Sequence, residues 1–163
     1  MPRLSRNLLP SHFVHLIVQG INREYIFKEN SWKSHYKSLI KNNFSDANIS
    51  IVAYCIMDNH AHFLVFYDNI NVLCKSMQKT NTCYAMHYNK LNNRKGYVFR
   101  DRYYSQPIMD ENHLYNCLVY IHRNPVSASI VTNMDDYFFS SYREYTRQIR
   151  FNNTRCNSTN FWN

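Results

Sequence analysis

The apolar positions along the chain change period several times, and the changes mark its elements. Residues 12–19, which include Phe13, Val14, Leu16, Ile17 and Val18, lie between Pro10 and Gly20, which predicts a first strand. Phe27, Trp32, Tyr36, Leu39 and Ile40 then recur at helical spacing and predict a helix over residues 26–40, followed by a loop over 42–47. Residues 49–57 form a β-branched and aromatic run, Asp58-Asn59 is a turn-prone pair, and residues 60–67 alternate, so two strands joined by a tight turn are expected. In the second of them His60, His62, Leu64 and Phe66 share one face and Ala61, Phe63, Val65 and Tyr67 the other.

The helical period returns over residues 71–92, where Leu73, Met77, Tyr84 and Tyr88 line one side. A basic, aromatic connection over 92–104 leads to a short strand at 105–109. Asp110 can cap a helix over 111–123, ended by Pro125 because proline disfavours helical geometry in the residue before it. A packed closing segment runs to about residue 148, and residues 149–163 read as a polar, Asn-rich tail. This order of elements is an α+β pattern: one domain over 1–148, an antiparallel sheet with helices packed on one face.

Composition narrows the partners. The formal charge is +8, and the chain carries 14 Tyr and 10 Phe, a pairing suited to a polyanion whose bases stack on rings. Cys55, Cys74, Cys83, Cys117 and Cys156 are odd in number and never form a CxxC pair. That argues against a disulfide framework and a cysteine zinc site, and favours a reducing cytoplasm. No apolar run approaches the roughly 18 residues of a membrane span, so no membrane partner is expected.

Candidate chemistry sits in two places. His60 and His62, at i and i+2 on a strand, point the same way and can chelate one cation, although a bare H-x-H more often marks two ordinary strand histidines. On the helix over 111–123, His113, Cys117, Tyr120 and Asn124 form a stripe beside the apolar one of Leu114, Leu118 and Ile121. Tyr120 and Asn124 can present a phenol and an amide oxygen to one site; the same spacing also fits a half-buried core tyrosine above a capping asparagine. The segment containing Arg94, Lys95, Tyr97, Arg100, Arg102, Tyr103 and Tyr104 is either a solvated loop or a strand-binding surface.

Taken jointly, these stretches resemble a family. Met57-Asp58-Asn59-His60-Ala61-His62-Phe63-Leu64 is similar to the M-x-N-H-x-H-x-L signature of the single-tyrosine HUH transposases. The run Gln19 to Phe27 resembles that family's first-strand exit, Gly96 to Ser105 its basic connection, and Tyr120-Ile121-His122-Arg123-Asn124-Pro125-Val126 its tyrosine helix. Asp136-Tyr137 and Ser140-Ser141-Tyr142 resemble the closing segment, nearest to the branch of REP-associated tyrosine transposases. Ala61 is smaller than the hydrophobe usual between the histidines, and Asn124 stands where many relatives carry glutamine.

The resemblance implies a ferredoxin-like or RRM-like fold and a metal-dependent transposase that cleaves and rejoins single-stranded DNA through a 5′-phosphotyrosine. It implies Tyr120 as nucleophile, and His60, His62 and Asn124 as ligands of a divalent metal, Mg²⁺ or Mn²⁺. Arg23, Arg94, Lys95, Arg100, Arg102 and Tyr103 are the expected DNA contacts, with a hairpin in the substrate. A homodimer is compatible with it, as is action on the nucleoid in the cytoplasm of a prokaryotic cell. Two rival readings stay open: a non-catalytic single-strand binder descended from such an enzyme, and a metallohydrolase in which Tyr120 is a bystander.

Overall fold

A computed structural model of the chain describes residues 11–147; the expected polar tail over 149–163 lies outside them. The elements run β1 (Phe13–Gln19), α1 (Asn30–Ser45), β2 (Ser50–Ile56), β3 (His60–Phe66), α2 (Ile70–Leu91), β4 (Tyr104–Pro107) and α3 (Glu111–Ser127). The four strands make one sheet in the order β2-β3-β1-β4, with every neighbouring pair antiparallel. This is the expected α+β, ferredoxin-like arrangement.

The hairpin of β2 and β3 is closed at Asp58-Asn59, and three contacts from outside hold its turn. The Gly20 amide donates to the Asn59 carbonyl at 2.9 Å, the Phe27 amide to the Asp58 carbonyl at 2.7 Å, and Lys33 Nζ to Asp58 Oδ1 at 2.6 Å. Gly20 is needed here because a Cβ would lie 2.4 Å from the Glu24 carbonyl oxygen. The turn that starts β3, and hence His60, is therefore fixed by the exit from β1.

Alternation gives β3 two buried sides. Ala61, Phe63 and Val65 face the same way as Val14, Leu16 and Val18 of β1, toward α1 and α2. Phe27, Tyr36, Tyr84 and Phe99 pack there with ring centroids 4.8–6.4 Å apart. Two phenols in that cluster are paired: Tyr84 Oη donates to the Ile26 carbonyl and Tyr36 Oη to Asn81 Oδ1. The stripe of Leu73, Met77, Tyr84 and Tyr88 on α2 is buried as its period predicts.

Not all the helices share one face. His62 and Leu64 are buried as well, on the opposite side, and α3 lies across them. With both faces of β3 carrying groups that must leave water, a single helical layer is insufficient.

Three boundaries differ from the periodicity. α1 begins at Asn30 rather than 26, because the Phe27 amide is engaged by the hairpin turn. It runs on to Ser45 through the expected loop, since Asn43 Nδ2 donates to Thr80 Oγ1 on α2 at 2.9 Å and Phe44 is fully buried. Tertiary packing there overrides the weak helix propensity of Asn. α3 passes Pro125 and ends at Ser127. The buried proline ring starts the last turn, which is closed by the Ala128 amide donating to the Asn124 carbonyl and the Ile130 amide to the Pro125 carbonyl.

The closing segment covers the outer edge of β2. The Ile56 amide donates to the Phe139 carbonyl at 2.9 Å, the Ser141 amide to the Tyr54 carbonyl at 3.0 Å, and Tyr137 Oη to the Ile56 carbonyl at 2.7 Å. His122 of α3 meets this segment, with Nε2 2.9 Å from Ser141 Oγ. Burial pushes the His122 imidazole down to about 4 from its ordinary 6.5.

The unfolded chain thus takes up a proton at His122 below pH 6.5 that the folded chain refuses until about 4, so stability falls with pH through that window. At pH ~5 the loss from this residue alone is about 2 kcal/mol. Urea unfolding at pH ~7.5 and ~5 should show His122→Gln losing less stability on acidification than the native chain. Equal losses in the two proteins would remove His122 from the account.

Candidate active site

Strand register sets up the site. Across β1 and β3, Gln19 pairs with His60, Ile17 with His62 and His15 with Leu64, so these side chains project from the same face of the sheet. Tyr104 of β4 pairs with Ile17 and joins them. α3 crosses above, its first turn capped by Asp110 Oδ1, which accepts from the His113 amide at 2.7 Å. The half-exposed ring of Tyr120 sits edge-on to His62 at 5.5 Å and to His15 at 6.0 Å, centroid to centroid. A cleft of about 520 Å³ is bounded by Gln19, His60, His62, Arg100, Tyr104 and Tyr120.

The two strand histidines stand perpendicular, with centroids 4.9 Å apart, and each is tethered through Nδ1. Asn59 Oδ1 accepts from His60 Nδ1 at 2.6 Å. His62 Nδ1 lies 3.0 Å from Nε2 of His15, a contact buried under α3. His62 Nε2 is buried with no hydrogen-bond partner. Burial lowers the His62 pKa well below 6.5, with His60 and His15 adding to the effect; burial also lowers His60, and a hydrogen bond with Asn124 partly opposes it. His15 is pushed down to about 4 by burial, then by His113. Near neutral pH the imidazoles are therefore uncharged, the protonation state a metal ligand requires.

The donors present fit a divalent cation. Nε2 of His62 is a buried ring nitrogen without a partner, the His60 ring stands 4.9 Å from that of His62, and the Asn124 amide is within reach of His60. Asn124 Nδ2 donates to the Tyr120 carbonyl at 2.8 Å, which orients the amide on the same helical turn as the phenol. Among the described residues no group of three or more His, Cys, Asp or Glu is arranged to hold a metal, so any further donor has to be an amide, water or substrate oxygen.

The remaining candidates divide. Arg100 lines the cleft and reaches Gln19 Oε1 at 3.4 Å; Arg102, Lys95 and Arg23 are exposed. Arg94 is held by Glu24 at 2.6 Å and lies over the Tyr88 ring, which makes it a clamp on the connection. Tyr103 is 4% exposed and its hydroxyl donates to Cys74 Sγ at 3.2 Å, so its ring anchors the segment to α2, while Tyr97 and Tyr104 present exposed rings. A second groove of about 1010 Å³ runs between α2 and residues 96–103 and shares Arg100, Asp101 and Tyr103 with the cleft. Periodicity does not single out His15 or Gln19; only the register of β1 against β3 brings them to the site.

Comparison with known proteins gives this geometry a context. The family model described as "Transposase IS200 like" matches residues 9–124, a stretch containing both histidines and Tyr120 and ending at Asn124. A REP-associated tyrosine transposase assigned in Haemophilus influenzae is 23% identical over 141 residues, covering 80% of this chain and 78% of the relative. The solved structure of a REP-associated tyrosine transposase bound to a REP hairpin superposes with a TM-score of 0.72 at 15% identity, covering 88% of this chain and 84% of the other. A transposase structure from Deinococcus radiodurans gives 0.50 at 15% identity, over 76% of this chain and 97% of that one. At these identities the two structures speak for the fold.

Proposed function

The chain belongs to the IS200-like transposase family, and from that premise we propose that it cleaves and rejoins single-stranded DNA at Tyr120, with a divalent metal ion held by His60, His62 and Asn124. The observation that carries this reading is the buried, partnerless Nε2 of His62 beneath the Tyr120 ring. A divalent ion there, Mg²⁺ or Mn²⁺, would supply Lewis-acid polarisation of the scissile phosphate.

The chain's own groups perform the rest. Tyr120 Oη attacks the phosphorus, the bond to the 3′ oxygen breaks, and that oxygen leaves as a 3′-hydroxyl carrying a proton. The DNA is then joined to the protein as a 5′-phosphotyrosine, and attack by another 3′-hydroxyl reverses the step and joins new ends. Half exposure of Tyr120 lets a strand approach, and α3 holds the phenol and Asn124 as one unit. The groove that continues from the cleft past Arg100 gives the strand a path, with Arg102 on phosphates and the exposed rings of Tyr97 and Tyr104 under bases. The hairpin in the similar solved complex supports a hairpin-bearing substrate. We assign this activity to the cytoplasm of a prokaryotic cell; no helix among the described residues is long and apolar enough to cross a membrane.

Incubation with a labelled hairpin-bearing single strand and Mn²⁺, followed by a denaturing protein gel, tests the proposal. A covalent adduct with release of a 3′-hydroxyl fragment is expected, whereas cleavage without an adduct would favour a metallohydrolase and binding alone a non-catalytic binder. Recognition has its own test. Affinity should fall with salt at about −0.7 in log–log slope per phosphate neutralised, and single strands or hairpins should bind better than blunt duplex. Arg100→Ala and Arg102→Ala should each lower that slope or weaken binding across sequences. Equal or tighter binding to blunt duplex in filter assays would overturn the single-strand path.

A further inference from the structure

His15 lies outside the H-x-H pair, yet it is buried as His62 is and makes a defined contact. On β1 it is the diagonal neighbour of His62, with Nε2 of His15 and Nδ1 of His62 3.0 Å apart and the rings inclined at 24°. Their relative exposures are 5% and 3%, so water does not compete for either nitrogen.

Two uncharged imidazoles in this arrangement share one proton along the contact, and its position decides what His62 offers the cleft. If His15 Nε2 donates, His62 carries its proton on Nε2, a buried N–H with no acceptor. If His62 Nδ1 donates, Nε2 is a bare lone pair directed at the site. The neighbouring ligand is arranged in the second way: Asn59 Oδ1 can only accept, so His60 donates from Nδ1 and its Nε2 is bare.

We propose that His15 is a positioning residue which accepts the Nδ1 proton of His62, fixing the tautomer and rotation that leave Nε2 free to bind a metal. It does for His62, from a separate strand, what Asn59 does for His60. Hydrogen-bond partners of this kind commonly raise metal affinity about 10–100-fold. The inference rests on the metal-dependent reading of the site, and the experiment separates the two.

Long-range proton–nitrogen NMR of the metal-free chain reports which nitrogen of His62 carries the proton, and calorimetric titration with Mn²⁺ reports affinity. The native chain should show His62 protonated at Nδ1. His15→Phe, which keeps a ring but removes the acceptor, should mix the His62 tautomers and weaken Mn²⁺ binding about 10–100-fold. His15→Gln, whose amide oxygen can reach the place of Nε2, should restore the tautomer and bring affinity back to within a few-fold of native. A native His62 protonated at Nε2, or native affinity in a folded His15→Phe, would overturn the proposal. If His62 is protonated at Nδ1 but the native chain binds no Mn²⁺, the role of His15 stands and the metal reading fails.

Discussion

Tyr120→Phe should abolish the covalent protein–DNA adduct, lowering strand cleavage by at least roughly 10⁴-fold, the scale on which loss of a nucleophile acts. Only the hydroxyl is removed; the ring keeps its edge contacts with His62 and His15 and remains half exposed, so the fold is undisturbed. The phosphate contacts proposed for Arg100 and Arg102 are untouched, and binding to a hairpin should stay within a few-fold. The measurement is a denaturing gel with end-labelled oligonucleotide, beside filter binding of the same variant. An adduct formed by Tyr120→Phe would transfer the nucleophile elsewhere, with Tyr115 on the same helix next in line at 68% exposed. Tyr115 lies off the stripe that carries Asn124, so that outcome would also dismantle the shared-helix geometry.

His60→Ala and His62→Ala should each reduce cleavage to background and weaken Mn²⁺ binding by about 100-fold or more, since two ligands of three hold a labile ion poorly. The two variants are expected to differ in the apo protein. His62→Ala opens a space under α3 and deprives His15 of its partner, whereas His60 is more exposed and gives up a contact to Asn59 at the strand start. Calorimetric titration checks affinity, and circular dichroism confirms that both remain folded. Unchanged affinity in both would return these histidines to the role of ordinary strand residues.

Much of this arrangement is legible in the order of residues alone, because it rests on local rules. The turn at Asp58-Asn59 sets His60 and His62 on one face by period two, and the stripe on α2 is buried where its period puts it. Asp110 caps α3 as its side chain allows, and the helix delivers Tyr120 to the histidines. The parts that are not legible depend on contacts between distant stretches of the chain. Arg94 and Glu24 are 70 residues apart, and nothing local announces that this cation is clamped. Tyr103 and Tyr104 are chemically equal in sequence, and only packing on α2 buries the first and exposes the second. His15 reads as a strand residue until the register of β1 sets it against His62. The extra turns at Phe44 and Pro125 likewise come from burial that overrides local preference.

The two faces of the sheet have unequal duties, and this bears on how such a chain ages. Folding is driven chiefly by the aromatic cluster and aliphatic strands beneath α1 and α2, none of which lines the cleft. The opposite face buries imidazoles, one with an unmet nitrogen, groups that contribute little to folding and whose replacement by apolar side chains can leave it intact. A copy no longer selected for mobility can therefore lose its histidines or its tyrosine by drift and still fold. Its basic connection and groove would persist, because they are anchored to α2 through Tyr103 and to the β1 exit through Arg94. On the strand path proposed above, inactive descendants of this architecture should persist as intact, folded single-strand binders rather than as misfolded debris.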